Sequence, residues 1–130
     1  MEKEEKIRVL FSEEEIEKRV SELAEEIGRD YAGKELHLVC ILKWAAPFMC
    51  ELAKKLNNPG VSMDFMAVSS YGSQTQSSGV VKIVKDLDEP LEGKNVLLVE
   101  DIIDTGRTLH HLEHMLRERR PASLEICTLL

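Results

Sequence analysis

The sequence has 130 residues, with 17 Lys and Arg against 24 Asp and Glu, giving a formal net charge of −7. That length suits one domain of roughly 100–200 residues and leaves no room for separate catalytic and substrate domains. The 43% hydrophobic and 32% charged fractions exclude a disordered or membrane-embedded chain, and the acidic balance argues against a general polyanion binder, which needs a basic surface.

The charged start, Met1-Glu-Lys-Glu-Glu-Lys6, has no apolar signal-peptide core, and no apolar run approaches the ~18 residues of a transmembrane helix. The expectation is a cytoplasmic protein with no membrane and no nucleic-acid partner. Ile7–Phe11 is a short alternating segment, and Ser12-Glu-Glu-Glu15 matches a capping box, Ser at the cap and Glu three residues on. A helix should start there, with Ile16, Val20, Leu23, Ala24 and Ile27 forming one apolar stripe up to Gly28. Leu36–Leu42 is a near-continuous apolar run of strand length, the pattern of a strand covered on both faces in a parallel sheet.

A helix follows from about Ala45 to Leu56, with Pro47 tolerated in its first turn. Asn57-Asn-Pro-Gly60 is a turn cluster, and Val61–Val68 is the next strand. Ser69–Gly79 is polar, small and aperiodic, so a flexible loop is expected over about residues 69–80, with Val80–Val84 as the returning strand of a long hairpin. Glu89–Gly93 turns the chain into Asn95–Val99, a second apolar strand. Asp101–Arg107 reads as a loop, Thr108 to about Arg119 as a helix, and Ser123–Leu129 as a third core strand. Alternating strands and helices predict an α/β fold, a mainly parallel twisted sheet with flanking helices.

Some residues carry only structural expectations. Cys40, Cys50 and Cys127 are odd in number, lack CxxC spacing and are read as buried thiols. Met49, Met63 and Met66 are read as core filler. His110 and His114 have zinc-compatible i, i+4 spacing, but no third ligand is evident, so they are read with His111 as surface or partly buried histidines. Arg117-Glu-Arg-Arg120 complements a helix dipole.

The chemistry is concentrated after the second apolar strand. In open α/β sheets ligands sit beyond the carboxyl ends of the strands, and Val96–Val99 runs into Glu100-Asp-Ile-Ile-Asp-Thr-Gly-Arg-Thr108. Thr105, Gly106, Arg107 and Thr108 lie at a strand-to-helix turn, where backbone N–H groups, a helix dipole and two hydroxyls can surround a phosphate. Glu100 and Asp101 are spaced to accept from sugar hydroxyls or to approach a divalent metal, and Asp104 is placed for proton transfer. The bland alternative is that these acids cap a helix and solvate a loop.

This run resembles the phosphoribosyl pyrophosphate (PRPP) motif of type I phosphoribosyltransferases. With Val81–Asp88 and Leu109 included it resembles the hypoxanthine-guanine phosphoribosyltransferase family, over nearly the whole chain. The resemblance implies residues 1–130 as a single phosphoribosyltransferase-like domain whose reaction joins hypoxanthine or guanine to PRPP, giving IMP or GMP and pyrophosphate. Asp104, Thr105, Gly106, Arg107 and Thr108 then hold the 5′-phosphate, Asp104 also being the acid/base group at the purine N7. Glu100 and Asp101 address the ribose hydroxyls and Mg²⁺. Leu42, Lys43 and Trp44 stand at the pyrophosphate loop, and Ser70 and Tyr71 open the lid. PRPP, a purine base or a nucleoside monophosphate, and a second copy of the chain are the implied partners.

The sequence departs from the family at Trp44, where glycine usually follows the lysine across a bond that can be cis, and at Gln74 and Gln76, where glycine and glutamate are common. The chain stops at Leu130, so the family core is expected without its last strand, much of its hood and the base-reading segment. Two further readings belong to other classes: a catalytically silent, minimal or engineered nucleotide-binding module, and an RNA-binding regulator related to phosphoribosyltransferases. The acidic charge counts against the regulator.

Overall fold

A computed structural model describes residues 12–43, 45–70, 81–100 and 107–129, and for Ser70, Arg107 and Thr108 the backbone alone. Helix α1 (Glu13–Asp30) starts at the capping box. The Ser12 hydroxyl accepts from the Glu15 N–H at 3.1 Å, and the Glu15 carboxylate accepts from the Ser12 N–H at 2.8 Å. Val20, Leu23, Ala24 and Ile27 are buried, whereas Ile16 is 36% exposed because the packed stripe begins one turn later. The alternating segment Ile7–Phe11 lies outside the described residues.

The remaining elements are β1 (Leu36–Ile41), α2 (Ala46–Leu56), β2 (Val61–Ser70), β3 (Val81–Lys85), β4 (Asn95–Glu100), α3 (Arg107–Arg117) and β5 (Ser123–Thr128). Several boundaries differ from expectation, most by one residue; the ends of β2, β4 and α3 differ for visible reasons. Ser69 and Ser70 belong to β2, because they pair with Lys82 and Val81 of β3; the rest of the expected loop, residues 71–80, lies outside the described residues. Glu100 is the last residue of β4, where it pairs with Thr128. Helix α3 stops at Arg117 because Pro121 disfavours helical backbone before it, and Arg120 instead adopts φ 61°.

The sheet has the order β3-β2-β1-β4-β5, parallel except for the β2–β3 hairpin. Alternate residues of its central strands feed two cores. Leu36, Leu38 and Cys40 of β1, with Leu97, Val99 and Cys127, pack under α1 and α2. Val39 and Ile41, with Val96, Leu98 and Leu124, pack under Leu112 and Leu116 of α3. All six residues of β1 are buried, as its near-continuous apolar run predicted.

Two burial expectations fail. Cys50 is exposed, because it points away from the buried α2 face formed by Phe48, Met49 and Leu52. Met63 is 48% exposed, since it lies outside both buried clusters, while Met49 and Met66 are core residues.

The amino-terminal half of the sheet is tied by charge. Buried Asp64 accepts from the N–H groups of Phe65, Asp88 and Glu89 at 2.8, 2.9 and 3.0 Å. Arg119 donates to both carboxylate oxygens of Asp86 at 2.9 and 3.2 Å, joining the end of α3 to the turn after β3.

Candidate active site

The β1–α2–β2 crossover covers one face of the sheet and β4–α3–β5 the other, so the strand order reverses between β1 and β4. Connections that part at such a point leave a crevice beyond the carboxyl ends of the strands. Cys40 pairs with Val99, so the segment Ile41-Leu42-Lys43 and the residue Glu100 leave adjacent strands at the same end.

On the β1 side, the Leu42 N–H donates to the Met66 carbonyl at 2.8 Å, which carries the strand one hydrogen bond past Ile41. Lys43 is exposed, and its carbonyl accepts from the Ala46 N–H at 3.2 Å as the chain turns into α2. The Leu42–Lys43 peptide is cis, one bond before the position implied by the family pattern. Trp44 lies outside the described residues.

On the β4 side, Glu100 is half-buried at the strand end. Asp101, Asp104, Thr105 and Gly106 lie outside the described residues; Arg107 and Thr108 are the first two residues of α3. A helix amino terminus therefore follows this strand end, with the N–H groups and partial positive charge that suit an anion. Ser70 stands four residues beyond Met66, the partner of Ile41, so the β2 arm extends roughly 13 Å past the end of β1 at ~3.3 Å per residue. Tyr71 lies outside the described residues.

The structure thus brings together Leu42, Lys43 and Glu100 at one sheet end. Cys127 offers no competing nucleophile, because burial pushes its thiol up to about 11. His110 and His114 are exposed and His111 half-buried, and no cluster of three metal-ligating side chains occurs among the described residues. Sequence reasoning passed over His37 and Asp64, the two buried polar residues of the core among the described residues. The available signal was a titratable side chain interrupting each apolar strand.

The family profile described as phosphoribosyl transferase domain matches residues 9–130, so the chain belongs to that class of domain. The hypoxanthine-guanine phosphoribosyltransferase of Streptococcus thermophilus is 52% identical over 122 residues, 94% of this chain and 67% of that protein. The enzyme of that name from Mycobacterium tuberculosis is 48% identical over 94% of this chain and 63% of its own length. Among solved structures, the Bacillus anthracis hypoxanthine-guanine phosphoribosyltransferase superposes with a TM-score of 0.89 at 43% identity, over 95% of this chain and 73% of that one. The chain belongs to the hypoxanthine-guanine phosphoribosyltransferase family, and it spans about two thirds of the length of these curated relatives.

Proposed function

We propose that the crevice between β1 and β4 binds PRPP and transfers its phosphoribosyl group to hypoxanthine or guanine, the purine-salvage reaction named by the relatives. One observation carries this reading. The strand-order reversal falls between Leu42-Lys43 and Glu100, the two points where the sequence carries pyrophosphate-loop and PRPP-motif residues.

In the reaction a purine nitrogen bonds to C1 of the ribose while the C1–O bond to pyrophosphate breaks and the leaving oxygen keeps the electron pair. Positive charge collects on the sugar, as in glycoside chemistry. Asp104 exchanges the proton at the purine N7, and the segment Asp104-Thr-Gly-Arg-Thr108 holds the 5′-phosphate at the start of α3. Glu100 and Asp101 hold the ribose hydroxyls. Leu42, Lys43 and Trp44 bind the pyrophosphate, and Ser70, the last residue of β2, closes over it with the next residue in sequence, Tyr71, to exclude water.

Mg²⁺ fits this donor set. Glu100 is a half-buried carboxylate at the strand end with Asp101 next in sequence, and hard oxygen ligands suit that ion. When bound it offsets charge on the leaving pyrophosphate. We further propose that residues 1–130 form one domain and that the protein acts in the cytoplasm as a homo-oligomer. The described helices include none long and apolar enough to cross a membrane, and edge strand β3 carries Val84 at 66% exposure, a surface suited to a second copy. Light scattering of the purified chain checks the oligomer.

Calorimetry with Mg²⁺–PRPP, paired with an assay of IMP and GMP formation, tests the function. Saturable PRPP binding and nucleotide formation are expected. Absence of binding to PRPP and to both nucleotides would overturn the proposal, as would binding without product.

A further inference from the structure

At the amino-terminal end of the sheet, opposite the crevice, a pocket of about 410 Å³ is lined by residues of three strands and the turns that lead into them. Its wall includes Lys34 and Glu35 before β1, His37 within β1, Ser62 of β2, and Lys94 and Asn95 at the start of β4. His37 is only 2% exposed, and its Nδ1 lies 2.6 Å from the Ser62 hydroxyl. Its Nε2 is fully buried and has no hydrogen-bond partner among the described residues. A buried ring nitrogen in that condition is an exception that calls for a partner.

Two chemistries could supply one. A metal ion needs further ligands of the His, Cys, Asp or Glu kind, and no cluster of three such groups occurs among the described residues. An anion needs donors and positive charge, and the pocket has both. Lys34 is exposed and makes no ion pair among the described residues. Lys94 is one-third exposed and reaches the pocket rim while bonding Glu89 at 2.8 Å. When the Ser62 O–H donates to Nδ1, the neutral ring carries its proton on Nε2 and presents a third donor. Asn95 is oriented by donating one amide N–H to the Glu35 carbonyl and accepting from the Ser123 hydroxyl. Glu35 is the one acid of the lining, and Asp64 of β2 and Glu89 in the turn after β3 are the acids whose charges act on the ring.

We propose that this pocket is a second ligand site, one that takes the phosphate group of a small molecule between Lys34, Lys94 and the His37 ring. It is remote from the PRPP crevice because its residues belong to the opposite ends of the same strands. In a chain of net charge −7, two lysines with a histidine donor form a local exception that can select an anion.

Residue-resolved NMR on the whole chain, titrated with inorganic phosphate and separately with ribose 5-phosphate, reads the site directly. The His37 imidazole signals should shift saturably with at least one of the two, free phosphate and a phosphate monoester being distinguished by which one saturates at lower concentration. Lys34→Ala, an exposed position whose replacement leaves the core intact, should weaken that response by about tenfold. The signals of Gly106, in the other phosphate site, should respond equally in both proteins. Three results would overturn the proposal: His37 signals unmoved while Gly106 responds, the same His37 shift from sodium chloride at equal ionic strength, or equal affinity in Lys34→Ala. The first would leave the ring satisfied by water alone.

Discussion

The two ends of the sheet are built in different ways. At the carboxyl end the chemistry is contiguous in sequence: Glu100 to Thr108 leaves one strand and enters one helix, and Leu42-Lys43 stands on the adjacent strand. At the amino end His37, Ser62, Asp64, Asp88, Glu89 and Lys94 come from separate segments and meet only in the folded chain. The carboxyl end is a site held by strand ends, whereas the amino end is a polar anchor held by tertiary contacts. Substitutions in the first should therefore change chemistry and leave stability alone, and substitutions in the second should do the reverse.

The largest expected effect is at the carboxyl end. An acid/base group typically contributes ~10²–10⁴-fold, so Asp104→Asn should slow nucleotide formation by that factor while PRPP affinity changes far less. Single-turnover assays beside calorimetry separate the two, and an equal loss in both would make Asp104 a binding group only. Next is the amino end. Asp64 is 3% exposed and accepts three backbone N–H groups, so Asp64→Ala removes a buried acceptor that holds Phe65, Asp88 and Glu89 together and leaves a cavity in its place. Urea titration should show a loss of about 3 kcal/mol, with PRPP affinity retained in the folded fraction. Equal affinity and stability losses would erase the distinction between the ends.

That distinction also decides what could be read from the sequence. The fold was legible because its signals are local: the Ser12–Glu15 box opens α1, and Leu36–Ile41 is apolar except at His37 because both faces of β1 are covered. Element ends were less legible. Ser69 and Ser70 have loop composition, yet pairing with Lys82 and Val81 holds them in β2. Burial at single positions failed where it depends on a distant neighbour, as at Ile16, Cys50 and Met63. The proposed site was legible only as a contiguous motif; of its residues, Leu42, Lys43 and Glu100 fall at one end of the sheet, while Asp101 to Gly106 lie outside the described residues. His37 and Asp64 were not, since nothing near them in sequence announces the Ser62 hydroxyl or the Asp88 and Glu89 amides that hold them.

Acid should weaken the amino end before it reaches the acids. Burial, and then the Lys94 charge, lower the pKa of His37 in the folded chain, opposed in part by Asp64 and Glu89. An unfolded histidine takes up its proton near pH ~6.5, so below that value the unfolded state binds more protons and folding loses free energy. The loss should grow as pH falls from ~6.5 and level off once folded His37 is itself protonated. Thermal denaturation across that window should show the decline in the native chain and a flatter profile in His37→Leu. An unchanged profile would place the sensitivity elsewhere.

The smallest effect should come from Arg119, which donates twice to Asp86 at the same end. These hydrogen bonds, helped by the Leu87 N–H and opposed by slight burial, hold the Asp86 carboxyl below its ordinary range. The linkage here has the sign of a depressed carboxylate. Its contribution is complete above the unfolded value of ~3.9 and disappears as pH falls through the lower folded value, well below the histidine window. With side-chain exposures of 30% and 53%, the pair is screened by water, so Arg119→Ala should cost only about 0.5 kcal/mol near neutral pH. High salt should shrink that difference, because exposed charges are screened. A loss as large as that of Asp64→Ala would mean that the fastening of α3 to the turn after β3, rather than the buried carboxylate, holds the amino end together.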